Sequence, residues 1–89
     1  MTRHPITIIN KLGLHARAAA KFVRLASQFS SEVKLVRGST EINAKSILGV
    51  MMLAAAKGTE LELVVDGTDE TESIAALEAL VNNKFDEAE

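Results

Sequence analysis

The chain has 89 residues, no cysteine and a formal net charge of −2 at pH 7. That length suits a single domain over residues 1–89. It leaves no room for a second core or a large enclosed active site, so a surface site is expected. The lack of thiols excludes disulfides, zinc–thiolate centres and iron–sulfur clusters.

Pro5-Ile6-Thr7-Ile8-Ile9-Asn10 is rich in β-branched residues and reads as a first strand. Lys11-Leu12-Gly13-Leu14 breaks it, with Gly13 free to take a loop conformation. A helix is expected over 16–29. Arg17, Lys21, Arg24 and Gln28 form one polar stripe along it, and Ala19, Ala20, Phe22, Val23, Ala26 and Phe29 fill the other faces. Glu32 to Arg37 reads as a second strand, Gly38-Ser39 as a tight turn and Thr40 to Asn43 as its returning partner. Ser46 is placed to cap a short helix that ends by Lys57-Gly58. Glu60 to Asp66 alternates as a fourth strand. Asp69-x-x-Glu72 resembles a capping box for a last helix buried through Ile74, Leu77, Leu80 and Val81. Phe85 pins the end of that helix, and residues 86–89 read as a frayed acidic tail.

The order β-α-β-β-α-β-α predicts an α+β fold: an open-faced two-layer sandwich. It has four mostly antiparallel strands, with three helices on one face. The bare face should carry Thr7, Lys34, Glu60 and Glu62.

His15 follows the Gly13 loop and directly precedes the first helix. The first backbone N–H groups of a helix have no helical partner and favour an anion. A neutral imidazole there offers a ring-nitrogen lone pair as a nucleophile toward a phosphoryl donor. The oxygens of the resulting phosphohistidine would lie over the amides of Ala16, Arg17 and Ala18, and the Arg17 guanidinium can pair with phosphate bidentately. Positioning and electrostatics are most of what phosphoryl transfer requires. The plainer alternative for His15 is a polar cap with a neighbouring surface arginine. His4 is expected to be a solvent-exposed residue. No carboxylate stands at ligand spacing to His15, so neither a metal nor a cofactor is expected.

The second candidate site is Lys45-Ser46-Ile47-Leu48-Gly49-Val50-Met51-Met52. With Val50 and Leu53 buried, Ile47, Leu48 and Met51 share another face, which is either core or an adaptable docking patch. Ser46 is an N-cap and also a candidate phosphoacceptor. A phosphate at a helix start need not unfold the domain, but would repel an acidic partner from the patch.

Charge is divided along the chain: residues 1–45 carry +6 and residues 46–89 carry −8. The acidic half and the three phenylalanines argue against nucleic acid as a ligand. The basic half suits an acidic protein partner. No apolar run approaches the roughly 18 residues of a membrane helix. The N-terminus shows no apolar signal core, so a cytoplasmic protein without membrane insertion is expected.

Gly13-Leu14-His15-Ala16-Arg17 followed by Ala19-Ala20-x-Phe22-Val23 resembles the active-site signature of the HPr family, the histidine-containing phosphocarriers of the bacterial phosphoenolpyruvate:sugar phosphotransferase system. Lys45-Ser46-Ile47-x-Gly49-Val50-Met51 resembles the regulatory-serine segment of that family. The resemblance runs over nearly the whole chain. It implies that His15 accepts a phosphoryl group on Nδ1 from phosphorylated enzyme I and passes it to enzyme IIA domains, with Arg17 holding the phosphate. It implies docking through Ile47, Leu48 and Met51, beside the basic stripe with Lys21 and Arg24. It also implies regulatory phosphorylation of Ser46 by HPr kinase/phosphorylase, and with it carbon catabolite regulation. Such a carrier is a covalent relay rather than a turnover enzyme, and a monomer suits it. The family usually has proline where this chain has Ala18. The rival readings are a carrier of the nitrogen-related phosphotransferase branch, with a regulatory rather than sugar-transport role, and an unphosphorylated adaptor or ligand-binding module.

Overall fold

In the computed structural model, which describes residues 1–88, the chain runs β1 (Thr2–Thr7), α1 (Ala16–Ala26), β2 (Glu32–Arg37), β3 (Thr40–Asn43), α2 (Ile47–Met52), β4 (Glu60–Asp66) and α3 (Glu70–Asn82), then a 3-10 turn at Lys84–Asp86. The strands form one sheet in the order β1-β4-β2-β3, and every neighbouring pair is antiparallel. The fold is the open-faced α+β sandwich that the element order predicts.

The two-residue period of the strands explains the layering. On β4, Leu61, Leu63 and Val65 face the helices and are buried, while Glu60 and Asp66 lie exposed. On β2, Val33 and Leu35 point the same way. They meet Ala18, Ala19, Phe22 and Ala26 of α1, Val50 of α2, and Leu77 and Val81 of α3 in one core. Small residues on α1 let it settle close to the sheet. The outer face carries Thr7, Lys34, Glu60 and Glu62 as expected. It is crossed by ion pairs from Arg3 to Glu62 at 2.5 Å and from Lys34 to Glu41 at 2.9 Å. Both pairs are exposed and add little stability.

Four features differ from the sequence reading. The short helix capped by Ser46, expected to run up to Lys57-Gly58, ends at Met52, where the Leu53 and Ala54 amides close onto the carbonyls of Val50 and Met51 at 3.3 and 3.1 Å. The first strand occupies 2–7 rather than 5–10. Proline lacks an N–H, but β1 is an edge strand and tolerates Pro5 opposite Glu62. Beyond Thr7 the pairing continues outside the regular ladder, through Ile8 N–H to Thr59 O at 3.0 Å and Gly58 N–H to Ile8 O at 2.7 Å. The first helix stops at Ala26 instead of Phe29. Gln28 and Phe29 close it with tighter bonds to the carbonyls of Leu25 and Ala26. The capping box before α3 does not form. The Asp69 carboxylate instead reaches across to the Ser30 and Ser31 amides, at 2.8 and 2.9 Å, and to the Ser31 hydroxyl. Glu70 accepts from Gly67 N–H and from the Thr2 hydroxyl. These bonds tie the start of α3 to β1 and to the entry of β2.

The chain end is the largest departure. Residues 86–88 are not a frayed tail; Glu89 lies outside the described residues. Lys84, Phe85 and Asp86 all have positive φ, which turns the backbone left-handed after α3. Phe85 is fully buried and anchors the turn. The turn folds the following residue back toward the first loop.

Candidate functional site

The site is built from the β1–α1 loop, the start of α1 and that C-terminal turn. Asn10 to Gly13 form a tight turn closed by Gly13 N–H to Asn10 O at 3.2 Å. Gly13 has φ of +67°, and a side chain there would run into the backbone of Ala55. The loop is therefore pressed against the segment after α2, where Leu14 N–H bonds Ala55 O at 2.8 Å. This contact sets where His15 stands.

His15 is the N-cap of α1. Its backbone is extended and its side chain makes no cap hydrogen bond. Its carbonyl accepts from Ala19 N–H at 2.8 Å. The preceding three amides, of Ala16, Arg17 and Ala18, have no acceptor among the described residues. They supply the partial positive charge expected of a helix start. Arg17 is exposed, and among the described residues its guanidinium forms no hydrogen bond or ion pair. It lines an open depression of about 420 Å³ with Lys11, Leu12, Asp86, Glu87 and Ala88. Ala18 is fully buried in the first turn.

Two residues of the site were not singled out in the sequence. Glu87 Oε2 lies 2.6 Å from His15 Nε2, and Glu87 Oε1 accepts from Asn10 Nδ2 at 2.9 Å. Asn10 is fully buried, and the same amide group also donates to Gly13 O at 2.8 Å. A continuous chain of bonds thus runs from the loop carbonyl through Asn10 and Glu87 to the imidazole. The Glu87 side chain is only 11% exposed. Burial pushes its carboxyl up, but the bonds from Asn10 and His15, with the nearby Arg17 guanidinium, outweigh burial and hold it below its ordinary 4.5. An ionised carboxylate only accepts hydrogen bonds, so this contact places a hydrogen on His15 Nε2. His15 Nδ1 has no partner among the described residues. The sequence does carry hints of both residues. Asn10-x-x-Gly13 is a turn pattern, and Phe85 is an apolar anchor one helical turn beyond Val81.

The remaining candidates sit around this centre. Lys21 is half-buried, and its ammonium donates to Phe85 O at 2.8 Å, so it braces the C-terminal turn. Arg24 is exposed and without a partner among the described residues. The α2 helix packs on α1, with Val50 and Leu53 buried. Ile47, Leu48 and Met51 are exposed, together with Met52 and Leu12, which the periodicity did not single out. Ser46 is the N-cap of α2, and its Oγ accepts from Gly49 N–H at 3.2 Å. His4, expected in solvent, is instead half-buried and bonds Glu78 of α3 through Nε2. It stands on β1, outside the site. No helix among the described residues is long and apolar enough to cross a membrane.

Comparison with known proteins identifies the family. The family model described as the PTS HPr component phosphorylation site matches residues 2–83. The phosphocarrier protein HPr of Neisseria meningitidis serogroup A is 56% identical over 89 residues, covering all of both chains. The crystal structure of HPr-C-His from Thermoanaerobacter tengcongensis superposes with a TM-score of 0.96 at 45% identity, again over the whole of both chains. A crystal structure of an HPr dimer from the same organism gives 0.79 at 46% identity, over 98% of this chain and all of that one. The chain belongs to the HPr family of phosphocarrier proteins. Its role is that of a phosphocarrier in the phosphotransferase system.

Proposed function

We propose that His15 is the phosphoryl acceptor of this carrier, through Nδ1, and that the Ala16, Arg17 and Ala18 amides and the Arg17 guanidinium receive the phosphate. The observation that carries the reading is the pairing at the head of α1. An imidazole with one ring nitrogen engaged and the other open stands beside three amides without an acceptor among the described residues. Ala18 in place of the usual proline leaves one more amide free to face the anion.

On this reading phosphorylated enzyme I is the donor and enzyme IIA domains are the acceptors, in the cytoplasm. Ile47, Leu48 and Met51 form the docking patch, with Arg24 and the braced Lys21 as its positive border. Exposed methionines adapt to several partners, and the unpaired arginines suit a transient acidic surface. Ser46, exposed at the edge of the patch, is the regulatory site for HPr kinase/phosphorylase. Its phosphate would place two negative charges where acidic partners dock. A monomer presents this single face to each partner in turn.

The test is incubation with phosphoenolpyruvate and enzyme I, followed by intact mass and acid treatment. A single acid-labile phosphoryl group, absent from His15→Ala, is the expected result. No gain of mass with an active enzyme I, or an undiminished gain in His15→Ala, overturns the reading.

A further inference from the structure

We propose that Glu87 is a positioning residue for phosphoryl transfer: it holds the proton on His15 Nε2, leaves Nδ1 as the nucleophile, and remains to stabilise the positive charge that the ring takes on. This rests on the reading of His15 as the acceptor.

The geometry is specific. Glu87 Oε2 is 2.6 Å from Nε2, and Oε1 is fixed by the buried Asn10 amide at 2.9 Å. Asn10 is itself held by Gly13 O, in the loop that aims His15. The carboxylate is thus clamped at both oxygens rather than resting on the ring by chance. On the far side, Phe85 is fully buried and Lys21 grips its carbonyl, so the turn delivering Glu87 is anchored to α1. A carboxylate that orients an imidazole through one nitrogen while the other does the chemistry is a recurring arrangement.

The electron count explains why a charge is needed there. The Nδ1 lone pair forms the N–P bond. The bond from phosphorus to the donor breaks, and its electron pair leaves with the donor. The Nε2 proton is not released, so the neutral ring becomes a phosphoimidazolium with its positive charge shared over both nitrogens. Glu87 faces that charge from a position 11% exposed, where electrostatic attraction is poorly screened. When the phosphoryl group moves on, the N–P pair returns to Nδ1 and the ring is again neutral with hydrogen on Nε2. No proton has to enter or leave the site in either direction, which suits a carrier working both ways.

Phosphoramidate, a small phosphoryl donor, tests this on the whole chain without any partner protein. The product is read residue by residue with ¹⁵N-labelled histidine and ³¹P NMR over a pH series. The native chain should carry phosphorus on His15 Nδ1. Its Nε2 proton should persist to a pH about one unit higher than in Glu87→Ala, the size of shift a lost neighbouring charge produces. Glu87→Ala should also form the Nε2 product. Glu87→Gln keeps an acceptor oxygen without the charge, so it should retain the Nδ1 product while the titration moves down. A native product on Nε2, or a Glu87→Ala titration and product distribution matching the native chain, overturns the role of Glu87 and leaves the acceptor reading intact. A His15 that stays unmodified while another residue takes the phosphorus overturns both.

Discussion

The Lys21 ammonium donates to the main-chain carbonyl of Phe85 at 2.8 Å, joining the middle of α1 to the left-handed turn that ends the fold. The bond spans 64 positions in sequence and lies partly out of water. It competes with little else, because the stretch from Lys84 to Asp86 has no strand or long helix to hold it. Methionine at position 21 keeps most of the apolar stem but removes the charged donor. Lys21→Met should lower stability by about 1.5–3 kcal/mol, the usual worth of a hydrogen bond from a charged group. The loss should be local before it is global. Hydrogen exchange at the Asp86 and Glu87 amides should speed up well before that of the core strands. Unchanged exchange at those two amides would show that Phe85 alone holds the turn.

The fold was legible because its signals are local and periodic. Leu61, Leu63 and Val65 against Glu60 and Glu62 leave one reading for β4. Gly38-Ser39 announces the hairpin, and Ser46 caps α2 as its side chain suggests. His15 and Arg17 were legible for the same reason, since both lie within one helical turn. Glu87 was not, because its meaning comes from residues 72 and 77 positions away. An acidic chain end looks like a solvated tail until its backbone is seen to reverse. The backbone does so through three non-glycine residues at positive φ, a conformation that propensity argues against. Asp69 misled for a related reason. Its place before α3 is that of a cap, but Ser30 and Ser31 compete for its carboxylate and win.

That competition predicts the acid side of the stability curve. The Ser31 hydroxyl, and then the Ser30 amide, hold the Asp69 carboxyl below its ordinary 3.8. The Thr2 hydroxyl and the Gly67 amide hold Glu70 below 4.5. A carboxyl depressed in the folded state binds protons more readily when unfolded. Its stabilisation is therefore complete above the unfolded value and is lost as pH falls through the lower, folded value. The melting temperature should be flat for these two groups above about pH 5 and should fall as pH drops below about 4. Asp69→Asn removes the ionisable group. It should lower the melting temperature at pH 7 and flatten the decline below pH 4, so that the two curves converge in acid. Curves that stay parallel down to pH 2 would show that the Asp69 network does not respond to acid.

Ala54 stands just past the end of α2 with φ of +51°, a region in which only glycine is free of a side-chain penalty. It is exposed, so packing does not reward the methyl group. The conformation is imposed from both sides. Ala54 N–H closes onto Met51 O at 3.1 Å, and the Arg37 guanidinium takes the carbonyls of Leu53 and Ala54, at 2.6 and 3.2 Å. The next residue must then present its own carbonyl to Leu14, so the chain cannot relax at 54 without disturbing the loop before His15. Glycine is the favoured residue at this post-helical position. Ala54→Gly should raise stability by about 0.5–1 kcal/mol, after allowing for the extra freedom glycine gives the unfolded chain. For a domain of this size that corresponds to a melting temperature higher by roughly 2–8 °C. Ala54→Val should do the opposite, because a β-branched side chain fits this region worst. Thermal melts of the three proteins decide the matter. A glycine variant no more stable than the native chain, with valine equally tolerated, would mean that residue 54 escapes the left-handed region in solution.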